Sequence, residues 1–273
     1  ERKFGDCKDK SALLVALFRA VNIPARLVLV RMQRLGAVQD HPASLAVFNH
    51  AICYLPDQNL WLDGTATLHS IHDLPPQDQA VQALIISEKG EGLRLTPRSS
   101  ADRNLTTLAF DIDAETDGSA KVQSRIELSG VLAPEVRMRY MGGTPQEQLF
   151  GQTIREIFPG ATVSSVRAEN LRDPSKPLIM QAQVQVPRWG QRSTGRADWP
   201  LLGKATSYQR NMASFETRRH DLILGPAWSV RWKVKHRLPG DLSLSRLPGD
   251  NSIRSPFGQA RIRLIKTAKS LEV

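Results

Sequence analysis

The chain has 273 residues, a formal net charge of +10 at pH 7 and 41% hydrophobic residues, which is enough apolar material for about two packed domains. No apolar run approaches the roughly 20 residues of a membrane-spanning helix, so a transmembrane segment is not predicted. Two cysteines exclude a disulfide scaffold. These features indicate a basic chain with packed globular cores.

The first predicted element is a helix over residues 11–21, where leucine, phenylalanine and valine recur at helical spacing. Alanine and valine fill most other positions, which predicts burial on most sides of the helix. Asp6 is a candidate N-cap, and Gly5 permits a sharp turn before it. Cys7 then lies in the first turn, where unpaired backbone N–H groups stabilise a thiolate. The alternative for Cys7 is a small buried core residue.

The next predicted elements are two strands that form a hairpin around the turn at residues 56–59. His50 lies on the first strand and Asp63 ends the second, so the two side chains can be cross-strand neighbours. Asp63 would then fix the tautomer of His50, and His50 would pair with the thiolate or take its proton. Taken separately, His50 could be a core histidine and Asp63 a turn residue. Their order after Cys7 favours a cysteine nucleophile that performs acyl transfer.

Three segments in this order resemble the transglutaminase-like superfamily, in particular its bacterial members: Gly-Asp-Cys-Lys-Asp-Lys at 5–10, Phe-Asn-His-Ala at 48–51 and Trp-Leu-Asp at 61–63. The resemblance implies a catalytic triad of Cys7, His50 and Asp63. It also implies a papain-like α+β core, with the nucleophile helix on an antiparallel sheet, and a β-rich domain after it. Transglutaminase-like acyltransferase or cysteine peptidase activity on proteins or peptides, in the periplasm or cell envelope, is the function that the resemblance implies.

Two departures from the family pattern accompany this resemblance. Gly64 stands where proline usually follows the triad aspartate, which changes the turn but not the carboxylate. Only six residues precede Cys7, whereas the family has helices upstream, so the chain is expected to lack its N-terminal part. The alternative function is therefore a non-catalytic scaffold or binding module with an incomplete transglutaminase-like core.

The charge divides the chain into two predicted domains. Residues 1–100 contain 11 basic and 10 acidic residues, and the remainder contains 26 basic and 17 acidic residues. We predict a catalytic core over 1–97 and a β-rich domain over 103–273, with a helical insertion near 144–158. Period-two alternation around 122–128, 180–186 and 228–235 predicts strands with one buried face, arranged as a β-sandwich.

Arg231, Lys233 and Lys235 share one face of a predicted strand, and Arg261 and Arg263 share a face of another. If these strands are neighbours, they form a basic surface for an anionic partner. The alternative is an ordinary solvated strand face. No aromatic residues are interleaved there, so specific nucleic-acid binding is not predicted.

No metal or cofactor is predicted, because the histidines outside the triad lack ligand spacing. These histidines are His41, His69, His72, His220 and His236.

Overall fold

The computed structural model describes residues 4–38, 44–194, 196–202, 215–219, 222–240, 242, 244, 247–267 and 270–273. His41 and His220 lie outside these ranges. The described residues form an α+β fold with few helices and several sheets, which confirms the mixed fold class. Within the same residues, no helix combines the length and apolar character needed to cross a bilayer.

The first half of the chain contains a five-stranded sheet in which every pairing is antiparallel, in the order β3-β2-β1-β4-β5. Its strands are β1 (Arg26–Val30), β2 (His50–Leu55), β3 (Leu60–Leu62), β4 (Gln82–Ile85) and β5 (Leu93–Leu95). The hairpin predicted from residues 46–63 is β2 and β3, with Tyr54 paired to Trp61. Residues 45–47 form a 3-10 turn rather than strand.

Helix α1 (Cys7–Ala20) packs on this sheet through one face only. Val15 contributes to a buried cluster beneath the helix, and the buried Ser11 hydroxyl donates to the Ala51 carbonyl at 2.7 Å. The opposite face leaves Leu13, Leu17 and Val21 about 60% exposed, at 59%, 56% and 64%. The prediction that α1 is buried on most sides is therefore wrong, because a helix on one sheet covers only the stripe that faces it.

A capping box starts α1 at Cys7. The Asp6 carboxylate accepts from the N–H groups of Lys8 and Asp9, and the Asp9 carboxylate accepts from the Asp6 N–H at 3.0 Å. These bonds satisfy backbone donors that the helix itself cannot use. Gly5 allows the arrangement, since a Cβ there would lie 2.5 Å from Asp9 Cβ.

Replacing Gly5 with Ala is expected to lower the free energy of unfolding by about 1–3 kcal/mol, because the new methyl group forces Asp9 out of the capping box. Chemical denaturation measures the change. Gly143→Ala is the matched control, since a Cβ at Gly143 meets nothing within 4 Å. An equal loss in both variants would contradict the steric explanation.

The second half of the chain is built on a seven-stranded mixed sheet in the order β15-β16-β12-β6-β7-β9-β8. Its strands are β6 (Leu105–Ala114), β7 (Ala120–Leu128), β8 (Thr162–Glu169), β9 (Leu178–Val186), β12 (Ser229–Arg237), β15 (Ile265–Lys266) and β16 (Ser270–Glu272). β12 runs parallel to β6, and the other pairings in this sheet are antiparallel. Two hairpins stand apart, β10 (Gln191–Ser193) with β11 (Arg196–Asp198) and β13 (Asn251–Ser255) with β14 (Gly258–Ile262).

Helices rather than a second large sheet contribute to the core of this half. α3 (Gln146–Ile157) lies in the segment where a helix was predicted, and α2 (Ala133–Met141) precedes it. Phe150 and Ile154 of α3 are fully buried against the sheet, in one cluster with Phe110 of β6. The predicted β-sandwich is therefore not confirmed, because the alternating strands pair within one sheet and helices cover their apolar face.

The predicted basic face of β12, formed by Arg231, Lys233 and Lys235, is partly neutralised by a neighbouring strand. Lys235 pairs with Glu272 at 3.1 Å across β12 and β16, whereas Arg231 and Lys233 are exposed. Arg261 lies on β14, which pairs with β13 and not with β12. The two basic strands are thus not paired neighbours in the described residues, and an anionic partner stays a prediction.

Candidate active site

The start of α1, the start of β2 and the turn after β3 bring Cys7, His50 and Asp63 together. His50 Nε2 lies 3.1 Å from Asp63 Oδ2. Cys7 lies near His50 and is among the groups that raise the pKa of the imidazole. Because Nε2 faces Asp63, the remaining ring nitrogen, Nδ1, is the one available to the thiol. The order thiol, imidazole, carboxylate is the arrangement that a cysteine nucleophile and its base require.

The environment of His50 favours its protonated form. The hydrogen bond to Asp63 is the largest contribution, and it raises the pKa of His50 to about 9 against the opposing effect of burial. The nearby carboxylates of Asp78 and Asp63 and the nearby Cys7 side chain add to this rise. An imidazolium at neutral pH stabilises a neighbouring thiolate.

Asp63 is held as an ionised acceptor. Burial acts to raise its pKa, but hydrogen bonds from His50 and Thr65 outweigh burial, and the pKa is lowered. The Thr65 backbone N–H and hydroxyl each donate to Asp63 Oδ1 at 2.7 Å. Oδ1 is thus tied to the turn, while Oδ2 faces His50.

Gly64, which stands where the resembled family usually has proline, lies close to α1. A Cβ at Gly64 would lie 3.0 Å from Leu14 Cδ1 and 3.3 Å from Lys10 Cβ. The turn that carries Asp63 therefore runs directly against α1. This close approach of backbone and helix is a role that a residue without a side chain fills.

Asp78 is a further residue at this site, and it is not among the residues predicted from the sequence. Its side chain is 0% exposed, and its Oδ2 lies 3.7 Å from His50 Nε2. Burial raises the pKa of Asp78 to about 7; the His50 charge lowers it, and Asp63 raises it further. An aspartate after two prolines is typical of an exposed loop, so no local signal marks Asp78.

The segment that bears Asp78 is anchored by the residues that join the two sheets. Asp78 ends a 3-10 turn (Pro76–Asp78), and its carbonyl accepts from the Thr96 hydroxyl at 2.5 Å. The next residue, Gln79, donates to the Leu74 carbonyl and accepts from both the N–H and the hydroxyl of Ser99. Thr96 and Ser99, near the predicted boundary between the two domains, therefore hold the segment that carries Asp78.

His50, Asp63 and Asp78 also form a cluster that could hold a metal ion. One ligand atom from each residue lies within 4.8 Å of the others. Within the described residues this is the only such group found. The prediction of no metal rests on the spacing of the histidines. This spacing gives no information about an aspartate in a loop, such as Asp78.

Cys53 is separated from this chemistry. Both cysteines are free, and Cys53 is fully buried with Val15 and Leu55 beneath α1. Burial raises the pKa of the Cys53 thiol to about 11. Cys53 is thus an internal reference for a thiol that stays protonated.

Residues 1–62 match the family model described as the transglutaminase-like superfamily. The match supports this superfamily for the segment that contains Cys7 and His50, and it ends one residue before Asp63. A search of curated proteins found no match. A search of solved structures also found none.

Proposed function

We propose that this chain catalyses acyl transfer or amide hydrolysis on proteins or peptides through a thioester on Cys7. The observation that supports the proposal is the position of His50, which bonds to Asp63 at 3.1 Å and lies near Cys7. His50 and Asp63 are largely shielded from solvent, with side chains 9% and 3% exposed. Cys7 is partly exposed and therefore accessible to a substrate.

The first half-reaction forms the thioester. The Cys7 thiolate attacks the carbonyl carbon of a glutamine carboxamide or a peptide bond, and the carbonyl electron pair moves to oxygen. The backbone N–H of Cys7, in the first helical turn, is the candidate donor to this oxyanion. The C–N bond then breaks as the carbonyl reforms, and protonated His50 gives its proton to the departing nitrogen.

The second half-reaction restores the enzyme. His50, now neutral, takes a proton from an incoming amine or water, which attacks the thioester carbon. The C–S bond breaks, and the thiolate and imidazolium are regenerated. An amine yields a new amide, and water yields a carboxylate. The predicted catalytic core over 1–97 contains every group used in these steps.

The pH profile of alkylation at Cys7 is the first test. We expect iodoacetamide to label Cys7 rapidly at pH 6, because His50 keeps its proton up to a pKa of about 9. Cys53 should label slowly in the same sample. His50→Ala should slow the labelling of Cys7 at pH 6 by about tenfold or more, because the variant lacks the imidazolium that stabilises a neighbouring thiolate. Mass spectrometry of the two cysteine peptides measures both rates.

Turnover is measured with a blocked glutamine peptide as acyl donor and hydroxylamine as acceptor, which converts a thioester to a hydroxamate. Cys7→Ser is the control that retains the shape of the site. Slow labelling of Cys7 that is unaffected by His50→Ala, with no hydroxamate, would contradict the proposal. That outcome would favour the alternative of a non-catalytic scaffold or binding module.

A further inference from the structure

We propose that Asp78 is a positioning residue of the site: its protonated carboxyl donates a hydrogen bond to the Asp63 carboxylate and holds it against His50. The inference rests on the proposed function and adds a fourth residue to it. The mechanism above uses Cys7, His50 and Asp63, and it leaves this buried carboxyl without a role.

The buried Asp78 side chain lacks hydrogen-bond partners. Neither carboxyl oxygen has a partner when Asp78 is treated as an ionised acceptor. A fully buried carboxylate without donors is strongly unfavourable. A protonated carboxyl carries an O–H donor, and the Asp63 carboxylate, in the same group of side chains around His50, is an acceptor. Protonation would thus allow the Asp78 side chain to bond to Asp63.

The charges of the groups around Asp78 also favour a protonated carboxyl. The ionisable groups that bear on Asp78 are His50 at the start of β2 and Asp63 after β3, and Cys7 at the start of α1 lies beyond His50. Protonated His50 and ionised Asp63 already balance each other. A second carboxylate would place an uncompensated negative charge beside Asp63, and close carboxyl pairs avoid this by retaining a proton.

The Asp63 carboxylate is fixed firmly at one oxygen. Thr65 donates two hydrogen bonds to Oδ1, while Oδ2 lies 3.1 Å from the imidazole that it orients. A donor from Asp78 would fix the Asp63 carboxylate from a second direction. Its backbone is suited to this role, because Thr96 holds the Asp78 carbonyl. Restricting the carboxylate in this way restricts the ring of His50 and the position of its Nδ1 proton.

Two other roles for Asp78 make different predictions. As an ionised partner of the imidazolium, 3.7 Å away, it would act through charge alone. As a metal ligand, it would act only with a divalent ion bound. Asparagine distinguishes these roles from the proposal, because its amide can donate to Asp63 but carries no charge.

The experiment compares Asp78→Asn and Asp78→Ala with wild type in the pH profile of Cys7 alkylation. We expect Asp78→Asn to remain within about threefold of wild type at pH 6 and Asp78→Ala to be slower by about tenfold or more. Asp73→Asn is the matched control, because Asp73 is a buried carboxylate that pairs with Arg103 at 2.8 Å, outside the triad. This control should match wild type.

Infrared spectroscopy tests the proton directly and does not depend on Cys7 reactivity. We expect the carbonyl stretch of a protonated carboxylic acid in wild type at pH 6, its loss in Asp78→Asn and its retention in Asp73→Asn. The band should also fall above pH 7 in wild type. Thermal unfolding of each variant shows whether Asp78→Ala remains folded. If Asp78→Ala is unfolded, the infrared spectrum of Asp78→Asn still tests the protonated carboxyl.

The outcomes separate this inference from the proposed function. Equal slowing in Asp78→Asn and Asp78→Ala, or no slowing in either, would overturn the positioning role. The absence of the infrared band would overturn the protonated carboxyl, and so would a divalent ion found by elemental analysis and lost in Asp78→Asn. If Cys7 is unreactive in wild type but the infrared band of the protonated carboxyl is present, the proposed function is overturned. The hydrogen bond between Asp78 and Asp63 is not contradicted by that result.

Discussion

Replacing Asp63 with Asn is expected to lower hydroxamate formation by about 10²–10⁴-fold, because an amide cannot fix the tautomer of His50 or stabilise its charge. The hydrogen bond to Asp63 makes the largest contribution to the raised pKa of His50. Its loss should bring that pKa down towards the ordinary value of about 6.5. Labelling of Cys7 at pH 6 should slow as well.

The same substitution should alter how stability depends on pH. Because the folded-state pKa of His50 is raised to about 9, its protonation stabilises the wild type fully below pH 6.5 and progressively less as pH rises through 9. Asp63→Asn should flatten this slope, as measured by denaturant unfolding at pH 6 and pH 9.5. Asp57→Asn, in the exposed turn between β2 and β3, is the control. An unchanged slope in Asp63→Asn would show that the carboxylate does not set the charge of His50.

The sequence predicted the site where its signals were local. Cys7 follows a glycine and an N-cap residue, which together predict the start of a helix. The structure has a helix that begins at Cys7. His50 and Asp63 flank a hairpin whose turn and strand residues are recognisable. The assignment of these three residues as a catalytic triad remains a proposal, which the experiments above test.

Residues whose importance comes from tertiary contacts were not predictable in the same way. Asp78 lies in a proline-rich loop, and its burial depends on Thr96 and on the imidazole of His50. Gly64 is explained only by the approach of α1 to the turn. The apolar pattern of α1 likewise gave the wrong extent of burial, since Leu13 and Leu17 follow helical spacing but face away from the sheet.

The second half shows a limit of period-two patterns. Alternation in β7 and β9 correctly indicates strands with one buried face. In β12 the strand is present, but of its predicted inner face only Val234 is buried, and Val230 is 39% exposed. Alternation does not specify which elements pack on the buried face. Here residues of α2 and α3 pack in the same core as the strands. α2 lacks a clear apolar stripe because Arg137 occupies a buried position of the helix. A charged residue there reads as solvent-facing in a sequence.

Arg137 connects α2 to the loop between β8 and β9. Its side chain is fully buried at 1% exposure. The guanidinium donates to the carbonyl of Asn170, to that of Asp173 at 2.9 Å and to that of Lys176 at 2.5 Å. These charge-assisted bonds satisfy three backbone acceptors at once. Asn170 has a positive φ of 61°, so the loop depends on side-chain contacts to hold its shape.

Replacing Arg137 with Met should lower the free energy of unfolding of this half by about 3 kcal/mol or more, because methionine fills the space but leaves the loop carbonyls without donors. Arg139→Met is the matched control. Arg139 is exposed on the same helix and pairs with Glu135 at 3.0 Å, so its loss should cost under about 1 kcal/mol. Equal losses in the two variants would contradict the role of the buried guanidinium.

The Arg137→Met variant also tests the proposed division of the chain. If residues 1–97 fold as a separate unit, denaturant should unfold the second half of the variant first, while Cys7 keeps its labelling rate at pH 6. If both halves form one cooperative unit, Cys7 reactivity and the second-half signal should be lost together. The bonds that Ser99 donates to Gln79, the residue next to Asp78, lie at the proposed boundary. Loosening of the second half would then reach the loop that holds Asp78, and the pH profile of Cys7 would report it.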